Sequence, residues 1–538
     1  MAERLIGLVR DSLVYLIGIA AVQAANFFLL PLYTDTKYFS TAAYDDMAIV
    51  YPTYSILFVI AMMGVMAALP RFYLDYEEDQ KEERRQVAGS VLIFLTVTSL
   101  MISLSMIAAS KELSILARTE HSYYFSIMAL TLFFDVGATI ALTIFRSEKR
   151  AVNYIIFSMA RFAVGTGLKV YFVVYLHRQL EGVLLGDMIG VGVVYVFLIV
   201  FLINKTKLKF AWTKLRDMLK FGVPLIPYGL AALVLMFADR LFIEYLAPTK
   251  EVADTRVATY TLAYTFGMLM LVAVVQPFDL AWTPFMMDAS KEKNAKQTYA
   301  HALTYFLLGA GFCCLVLSIM SKYVLEVMNR NSAYSGAYPV IPLIAVSYLL
   351  YGAFIILNVG IYLEKHTKWT SIIVVAGAIV NVGLCFLLIP DHGIIGAAIA
   401  TAISYVVLPI GVFLASQRYY PIKYEYGRLL KIILVGTAVY IGATHIHISS
   451  SVAVNVGSIH MRILIIEGVL RTATLLAYPI VLYLLRFHTA EEYEKVRGVL
   501  GDFNEKVQDK AGDVNRRLGK KVGRQRLIPL RGPWRSRK

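Results

Sequence analysis

Residues 212–246 read WTKLRDMLKFGVPLIPYGLAALVLMFADRLFIEYL. A basic amphipathic lead-in is followed by Pro224 and Pro227, an apolar run, and the pair Asp239-Arg240 near its far end. The same order of features opens the chain. Arg10-Asp11-Ser12-Leu13 with Tyr15 recurs as Arg216-Asp217-Met218-Leu219 with Phe221, each just ahead of a long apolar run. The stretch therefore reads as the beginning of a second half.

The rest of the chain has the same character. Of its 538 residues 58% are hydrophobic and 17% charged, and the mean hydropathy is +0.63. That is too apolar for a soluble multidomain protein. A bilayer core of about 30 Å needs roughly 20 apolar residues per helix. Fourteen segments qualify, beginning near residues 12, 47, 87, 123, 151, 183, 223, 258, 300, 340, 370, 393, 428 and 463. The first, behind Arg4 and Arg10, continues to Pro31 without a small-x-small cleavage pattern, so it reads as a retained helix rather than a secretory signal. Cys313, Cys314 and Cys385 all fall in apolar spans and form no C-x-x-C, which predicts buried thiols rather than a disulfide or metal site.

A net charge of +15 could point to nucleic acid, but the placement of the charge argues against it. With the N-terminus cytoplasmic, alternate connections hold most of the Lys and Arg on the cytoplasmic side, even with the C-terminal tail set aside. This is the positive-inside bias, and it places both termini in the cytoplasm. The expected organisation is an N-lobe of six helices over residues 1–210, a C-lobe of six over 211–420, two extra helices over 421–486, and a cytoplasmic part over 487–538. Equal halves with a weak internal match suggest duplicated bundles, a plan in which transporters often set a substrate site between the halves.

Far-side connections are short. On the cytoplasmic side, residues 71–86 (RFYLDYEEDQKEERRQ) are dense in both charges and read as helical, and residues 288–298 resemble them in polarity. Both are solvated faces in the simplest reading, with gating contacts as the alternative. After the last span, Thr489-Ala490-Glu491-Glu492 has capping-box spacing, and Tyr493, Val496, Val499, Leu500, Phe503 and Val507 recur at helical intervals. Beyond Asp513 the tail is basic without an acid, a composition that favours anionic headgroups as well as plain solvation.

Ionisable side chains at membrane depth mark partners or cavities. Asp135 and Arg161 lie equally far from the turn near Ser147 and Glu148, so an antiparallel hairpin brings them to one depth. Lys169 and Asp187 meet by the same logic around the next turn. Each pair is either structural or a cation held ready for an anionic group. Arg240 and Glu244, four apart, are placed to bridge along one helix face, leaving Asp239 on another. Glu467 and Arg471 have the same spacing. Gln23 and Asn26 in the first span and Gln276 and Asp279 late in the eighth could line a cavity or join helices. Pro224, Pro227, Pro277 and Pro284 predict bends. No Walker A motif, metal-ligand cluster, nucleophile elbow or large external loop occurs in the sequence. The protein is therefore not expected to be an enzyme or to carry a cofactor or metal. Transport would be coupled to ions such as protons or sodium, to the membrane potential, or to the substrate gradient.

Four motifs then carry a resemblance. Leu30-Pro31-Leu32-Tyr33-Thr34, Leu69-Pro70-Arg71-Phe72-Tyr73, Phe221-Gly222-Val223-Pro224-Leu225-Ile226-Pro227 with the later Asp239-Arg240, and Ala281-Trp282-Thr283-Pro284-Phe285 resemble the polysaccharide flippases of the multidrug/oligosaccharidyl-lipid/polysaccharide exporter superfamily. These move undecaprenyl-pyrophosphate-linked oligosaccharides outward across the bacterial inner membrane. The resemblance implies an all-α integral membrane fold of two six-helix lobes plus two extra helices, around a V-shaped cavity opening alternately to each side. It implies cavity cations for pyrophosphate, which by position are Arg161, Lys169 and Arg240, with Arg71 and Arg146 at the cytoplasmic mouth. Asp135, Asp187, Asp239, Gln23, Asn26, Gln276 and Asp279 are the supporting or ion-coupling candidates. Lipid-linked oligosaccharide and membrane lipids are the expected partners, with other polysaccharide-assembly proteins as candidates. The rival readings are a lipid-II-type flippase, an ion-coupled drug or metabolite antiporter of the same fold and, more remotely, a membrane glycosyltransferase or polymerase.

Overall fold

The computed structural model describes residues 29–76, 79–148, 150–328, 336–364, 366, 368–445 and 470–487. Among them there are helices and turns and no strand. Hydrocarbon leaves a backbone N–H or C=O no partner but its own segment, so an apolar chain of this kind must fold as helices. Eleven helices of the described residues are long and apolar enough to cross a membrane. Their outer faces are as apolar as their interiors: Val196, Phe197, Val200, Leu387 and Leu414 are all exposed, as expected of helices solvated by lipid.

In chain order the main helices are α1 (Thr41–Met62), α2 (Val65–Leu74), α3 (Lys81–Ala108), α4 (Tyr123–Ser147), α5 (Ala151–Val170), α6 (Gln179–Thr206), α7 (Trp212–Gly222), α8 (Ile226–Leu246), α9 (Lys250–Gly267), α10 (Gln276–Ala289), α11 (Ala295–Met328), α12 (Val340–Leu357), α13 (Lys368–Tyr419), α14 (Tyr426–Thr444) and α15 (Ala477–Leu484). At about 1.5 Å per residue, the 52 residues of α13 would extend more than twice the about 30 Å of a bilayer core. They do not run straight, because Gly393 breaks the helix at φ 55° and ψ −131°, a backbone conformation that glycine tolerates. α13 is thus two crossings, matching the spans expected near residues 370 and 393. The spans expected near residues 12 and 463 begin outside the described residues, as do Gln23, Asn26, Glu467 and the whole segment from Thr489 onward.

Residues Met1–Leu475 form one compact unit. Within it α1, α3, α4, α5 and α6 pack on one another, α8, α9, α11, α12 and α13 form a second group, and α14 lies against α11. The two groups meet chiefly where α1 lies on α8 and α9, and where α2 lies on α7. Leu476–Lys538 form a separate unit, whose described part is α15 and its flanking turn, with Tyr478 and Leu482 buried.

The prolines act as their chemistry requires. Pro224 sits in a 3₁₀ turn (Val223–Leu225) between α7 and α8, and Pro227 lies in the first turn of α8, where its missing N–H costs nothing. Pro277 follows a π turn, Leu271–Val275, that widens the helix where its ring would meet the carbonyl of Ala273. At Pro284 the helix continues. Two sequence expectations need correction. Residues 71–86 are not one helix, since α2 ends at Leu74 and α3 begins at Lys81 with Glu82 and Glu83 in its first turn. Cys313 is exposed on α11 rather than buried, because its neighbour Cys314 takes the inward position.

The approach of α2 to α7 rests on a pair of glycines. A Cβ on Gly222 would lie 2.5 Å from the carbonyl oxygen of Gly64, and Gly64 itself holds φ +67°. Gly222→Ala should therefore push the two helices apart, lowering stability by about 1–3 kcal/mol. Thermal unfolding in detergent checks this, and an unchanged midpoint would show that the contact does not hold the groups together.

Candidate functional site

The first group of helices carries two ion pairs across neighbouring helices. Arg161 on α5 donates to Asp135 on α4 through both terminal nitrogens, at 2.6 and 3.0 Å. Lys169, two turns further along α5, lies 2.7 Å from Asp187 on α6. Both pairs stand as the hairpin geometry predicts. The structure adds a third helix: Tyr54 of α1 donates to Asp135 Oδ2 at 2.8 Å, and Tyr51 donates to Asp187 Oδ2. Each carboxylate is thereby fixed on one side by a cation and on the other by a phenol. Arg161, Lys169 and Asp187 line a cavity of about 340 Å³ together with Tyr154, Ser158 and Thr166. Asp135 takes two of the five guanidinium N–H groups, and the Arg161 side chain is 37% accessible, so donors remain for another acceptor.

The second group is arranged differently. Arg240 is 4% exposed, and it does not bridge to Glu244. Its guanidinium leans back toward the start of α8, donating to the Met236 carbonyl at 2.8 Å and to Asp239 Oδ1 at 3.2 Å. The ring centroid of Tyr264 lies 4.2 Å away. Asp239, expected on a separate face, is the actual partner, and it also accepts from Tyr260 and from Thr401 at 3.3 Å. The adjacent cavity, of about 260 Å³, is lined by Tyr348 and Tyr405 rather than by Arg240, and it brings in Gln276 and Asp279 as well as Tyr228. The polar pair late in the eighth span thus faces a cavity, one within the second group.

Glu244 has another partner. Lys250 at the start of α9 donates to Glu244 at 2.9 Å and to Asp45 of α1 at 3.0 Å, and lies 2.9 Å from Asp254. Oxygens of the three carboxylates lie within 4.8 Å of one another, a spacing that would suit a cation, and the lysine ammonium reaches all three. Close by, Glu120 N–H donates to Asp46 at 3.2 Å, and Arg118 donates to the Glu244 carbonyl at 3.2 Å. One end of α1 is thereby joined to α8 and α9. Sequence reading missed this knot, although Asp45-Asp46 at the very start of an apolar span was a visible signal.

At the opposite end, Glu148 accepts from Tyr73 of α2 at 2.6 Å and pairs with Lys205 at 2.5 Å and Arg150 at 3.1 Å. Burial alone would raise the Glu148 carboxyl. The hydrogen bonds from Lys205 and Tyr73, with Arg150 nearby, outweigh burial and hold it below the ordinary carboxylate range. Arg71 is exposed, with its guanidinium 4.8 Å from the centre of the Phe221 ring, and Arg146 is exposed at the end of α4. Neither lines the cavity that holds Arg161.

Comparison with known proteins gives this architecture relatives. Residues 8–290 match the family described as polysaccharide biosynthesis protein. Among curated proteins no match is found. Among solved structures, the chain is similar to one described as the lipid II flippase MurJ in an inward closed conformation, with a TM-score of 0.64 at 15% identity, over 90% of this chain and 100% of that one. It is also similar to a structure described as MATE in the straight conformation, with a TM-score of 0.56 at 17% identity, over 77% of this chain and 95% of that one. An inward-facing multidrug resistance MATE family transporter of the MOP superfamily gives 0.56 at 16%, over 74% and 97%. The fold is that of these membrane transporters.

Removing a single partner from a buried ionic cluster leaves charge uncompensated and costs about 3–5 kcal/mol. Lys250→Met should show this loss in thermal unfolding, and Asp45→Asn a smaller one. Because both act on one contact, the double variant should be less destabilised than the sum of the two by about 1–3 kcal/mol. Simple additivity would mean that Lys250 does not tie α1 to α9.

Proposed function

This chain belongs to the polysaccharide biosynthesis protein family, and on that premise we propose that it is a flippase for undecaprenyl-pyrophosphate-linked oligosaccharide. It would carry an O-antigen, capsule or exopolysaccharide repeat unit across the bacterial inner membrane by alternating access, with both termini in the cytoplasm. The observation that carries the reading is the cavity in which Arg161 and Lys169 stand side by side on α5, each held by an acid from a neighbouring helix. Moving one ion into a medium of dielectric about 4 costs on the order of 20 kcal/mol before relaxation. A pyrophosphate cannot cross hydrocarbon unless cations travel its path.

The pairing supports this role. A free arginine at this depth would carry the same penalty as the substrate, so Asp135 compensates Arg161 while no substrate is bound. An arriving pyrophosphate offers oxygens that a guanidinium binds well, and Arg161 has donors left for them beside Asp135. The acid that stays in place offsets part of the attraction, so binding is not so tight that release stalls. The knot around Lys250 closes one end of the path, and alternating access requires it to part. The similarity to a structure described as a lipid II flippase spans more of this chain than the similarity to the MATE structures, which favours a lipid-linked cargo over a small soluble one. A lipid-II-type cargo shares the pyrophosphate chemistry.

Transport is tested by reconstituting the full chain in liposomes with labelled lipid-linked oligosaccharide and following its exposure to an added glycosidase. Wild type should move the label faster than empty liposomes, and no difference would refute the proposal. Arg161→Gln should slow transport by about tenfold or more, a loss on the order of 1.4 kcal/mol in the barrier. Its thermal midpoint should fall no further than that of Asp135→Asn, whereas equal losses of transport and stability would make the pair structural only.

A further inference from the structure

The start of α3 carries Lys81, Glu82, Glu83, Arg84 and Arg85, a run that looks self-neutralising. In the folded chain it is so only in part, through Glu82 and Arg85, 3.7 Å apart. Glu82 is also paired with Lys209, from the segment that leads into α7, and Glu83 with Lys214 in the first turn of α7. These two lysines thus share the acids of the run, and its cations face elsewhere. They open on a cavity of about 330 Å³ at the end of the bundle, where α3 begins and α4 and α6 end. Its ionic lining, among the described residues, is Lys81, Arg84, Arg85, Arg150 and Lys205 against one carboxylate, Glu148.

The site is organised from behind. Glu148 accepts from Tyr73 and holds both Lys205 and Arg150. Arg84 donates through Nε and Nη2 to the Tyr76 carbonyl at 3.0 and 2.7 Å, and its guanidinium lies 5.2 Å from the centre of the Tyr73 ring. Arg84, Arg150 and Lys205 are therefore positioned before any ligand arrives, which lowers the ordering cost of binding. The cavity lies at the ends of three membrane-crossing helices, the depth at which lipid headgroups sit, and basic pockets there hold anionic headgroups. Among the described residues, five cations with Glu82 on Arg85 and Glu148 on Arg150 and Lys205 still carry more charge than a single phosphodiester can neutralise.

We propose that this cavity binds an anion bearing two neighbouring phosphate groups, either a diphosphate lipid headgroup such as that of cardiolipin or a free pyrophosphate. It is separate from the cavity of Arg161 and Lys169, and it does not depend on what the protein transports. The full chain in nanodiscs provides the test. Native mass spectrometry measures cardiolipin retained from discs of phosphatidylcholine and cardiolipin, and titration calorimetry measures inorganic pyrophosphate binding in discs of phosphatidylcholine alone. The variant Lys81→Gln/Arg85→Gln/Arg150→Gln leaves Arg84, Lys205 and Glu148 in place. Its affinity should fall by about fivefold for each cation removed, with the thermal midpoint in phosphatidylcholine discs kept. Retention of cardiolipin that falls in the variant assigns the lipid as the source. Pyrophosphate binding that falls in the variant, without cardiolipin retention, assigns the free anion. If the triple variant does not fold, Lys81→Gln alone is read in the same two assays. If wild type and variant agree in both assays, or wild type binds neither ligand, the proposal is wrong.

Discussion

A charge inside hydrocarbon must have a partner, and the fold can be read as the set of solutions to that requirement. Asp45 and Glu244 are the tightest case: both are buried, and the half-exposed ammonium of Lys250 reaches them and Asp254, carboxylates from α1, α8 and α9. No packing of leucines could choose this arrangement, because lipid tails compete for apolar contact as well as side chains do. The ionic knot selects which faces of α1, α8 and α9 meet. Once they do, the glycine contact between Gly64 and Gly222 joins the same two groups near the other end of α1.

The same requirement is met differently in the two groups of helices. Arg240 is enclosed by Asp239 and the rings of Tyr260, Tyr264 and Phe237, with almost no accessible surface. Arg161 has a closer acid, Asp135 at 2.6 Å against 3.2 Å for Asp239 and Arg240, but opens on a cavity. Both are paired arginines on a membrane helix, so pairing alone does not tell them apart. Access does, and access is set by the helices around the pair: aromatic side chains fill the space beside Arg240, whereas Ser158, Gly165 and Thr166 leave room beside Arg161.

Most of the described spans were legible because apolar length is a local property of the chain. The Asp135–Arg161 and Lys169–Asp187 pairs were legible for a related reason. A hairpin of two antiparallel helices is nearly determined by its turn, so counting outward from the turn gives the depth of each residue. The Arg240–Glu244 bridge failed because i,i+4 spacing establishes only that two groups on one helix can meet. Lys250 approaches Glu244 from the next helix, Asp239 sits beside Arg240, and neither competitor is visible in the spacing. The phenols of Tyr51 and Tyr54 were illegible for the same cause, since nothing in the sequence places α1 between α4 and α6. The cations at the start of α3 were masked by their own acids, which also pair with lysines more than a hundred residues away.

One helix touches three of these ionic features. Along α1, Asp45 reaches Lys250, Tyr51 reaches Asp187 and Tyr54 reaches Asp135. Nine residues separate Asp45 from Tyr54, about 14 Å of helix at 1.5 Å per residue, with Pro52 between them. Hydrogen bonds reach only about 3 Å, so tilting α1 far enough to free Asp45 from Lys250 also strains its two phenols against their carboxylates. Asp187 and Asp135 would then lose a donor each, leaving Asp187 with Lys169 and Asp135 with Arg161 and Thr139. Parting the knot at one end thus changes the electrostatics of the cavity around Arg161 and Lys169, with no chain of intermediate residues needed between them. Such a coupling would run through α1 itself, across the turn where Pro52 removes one backbone N–H from the helix.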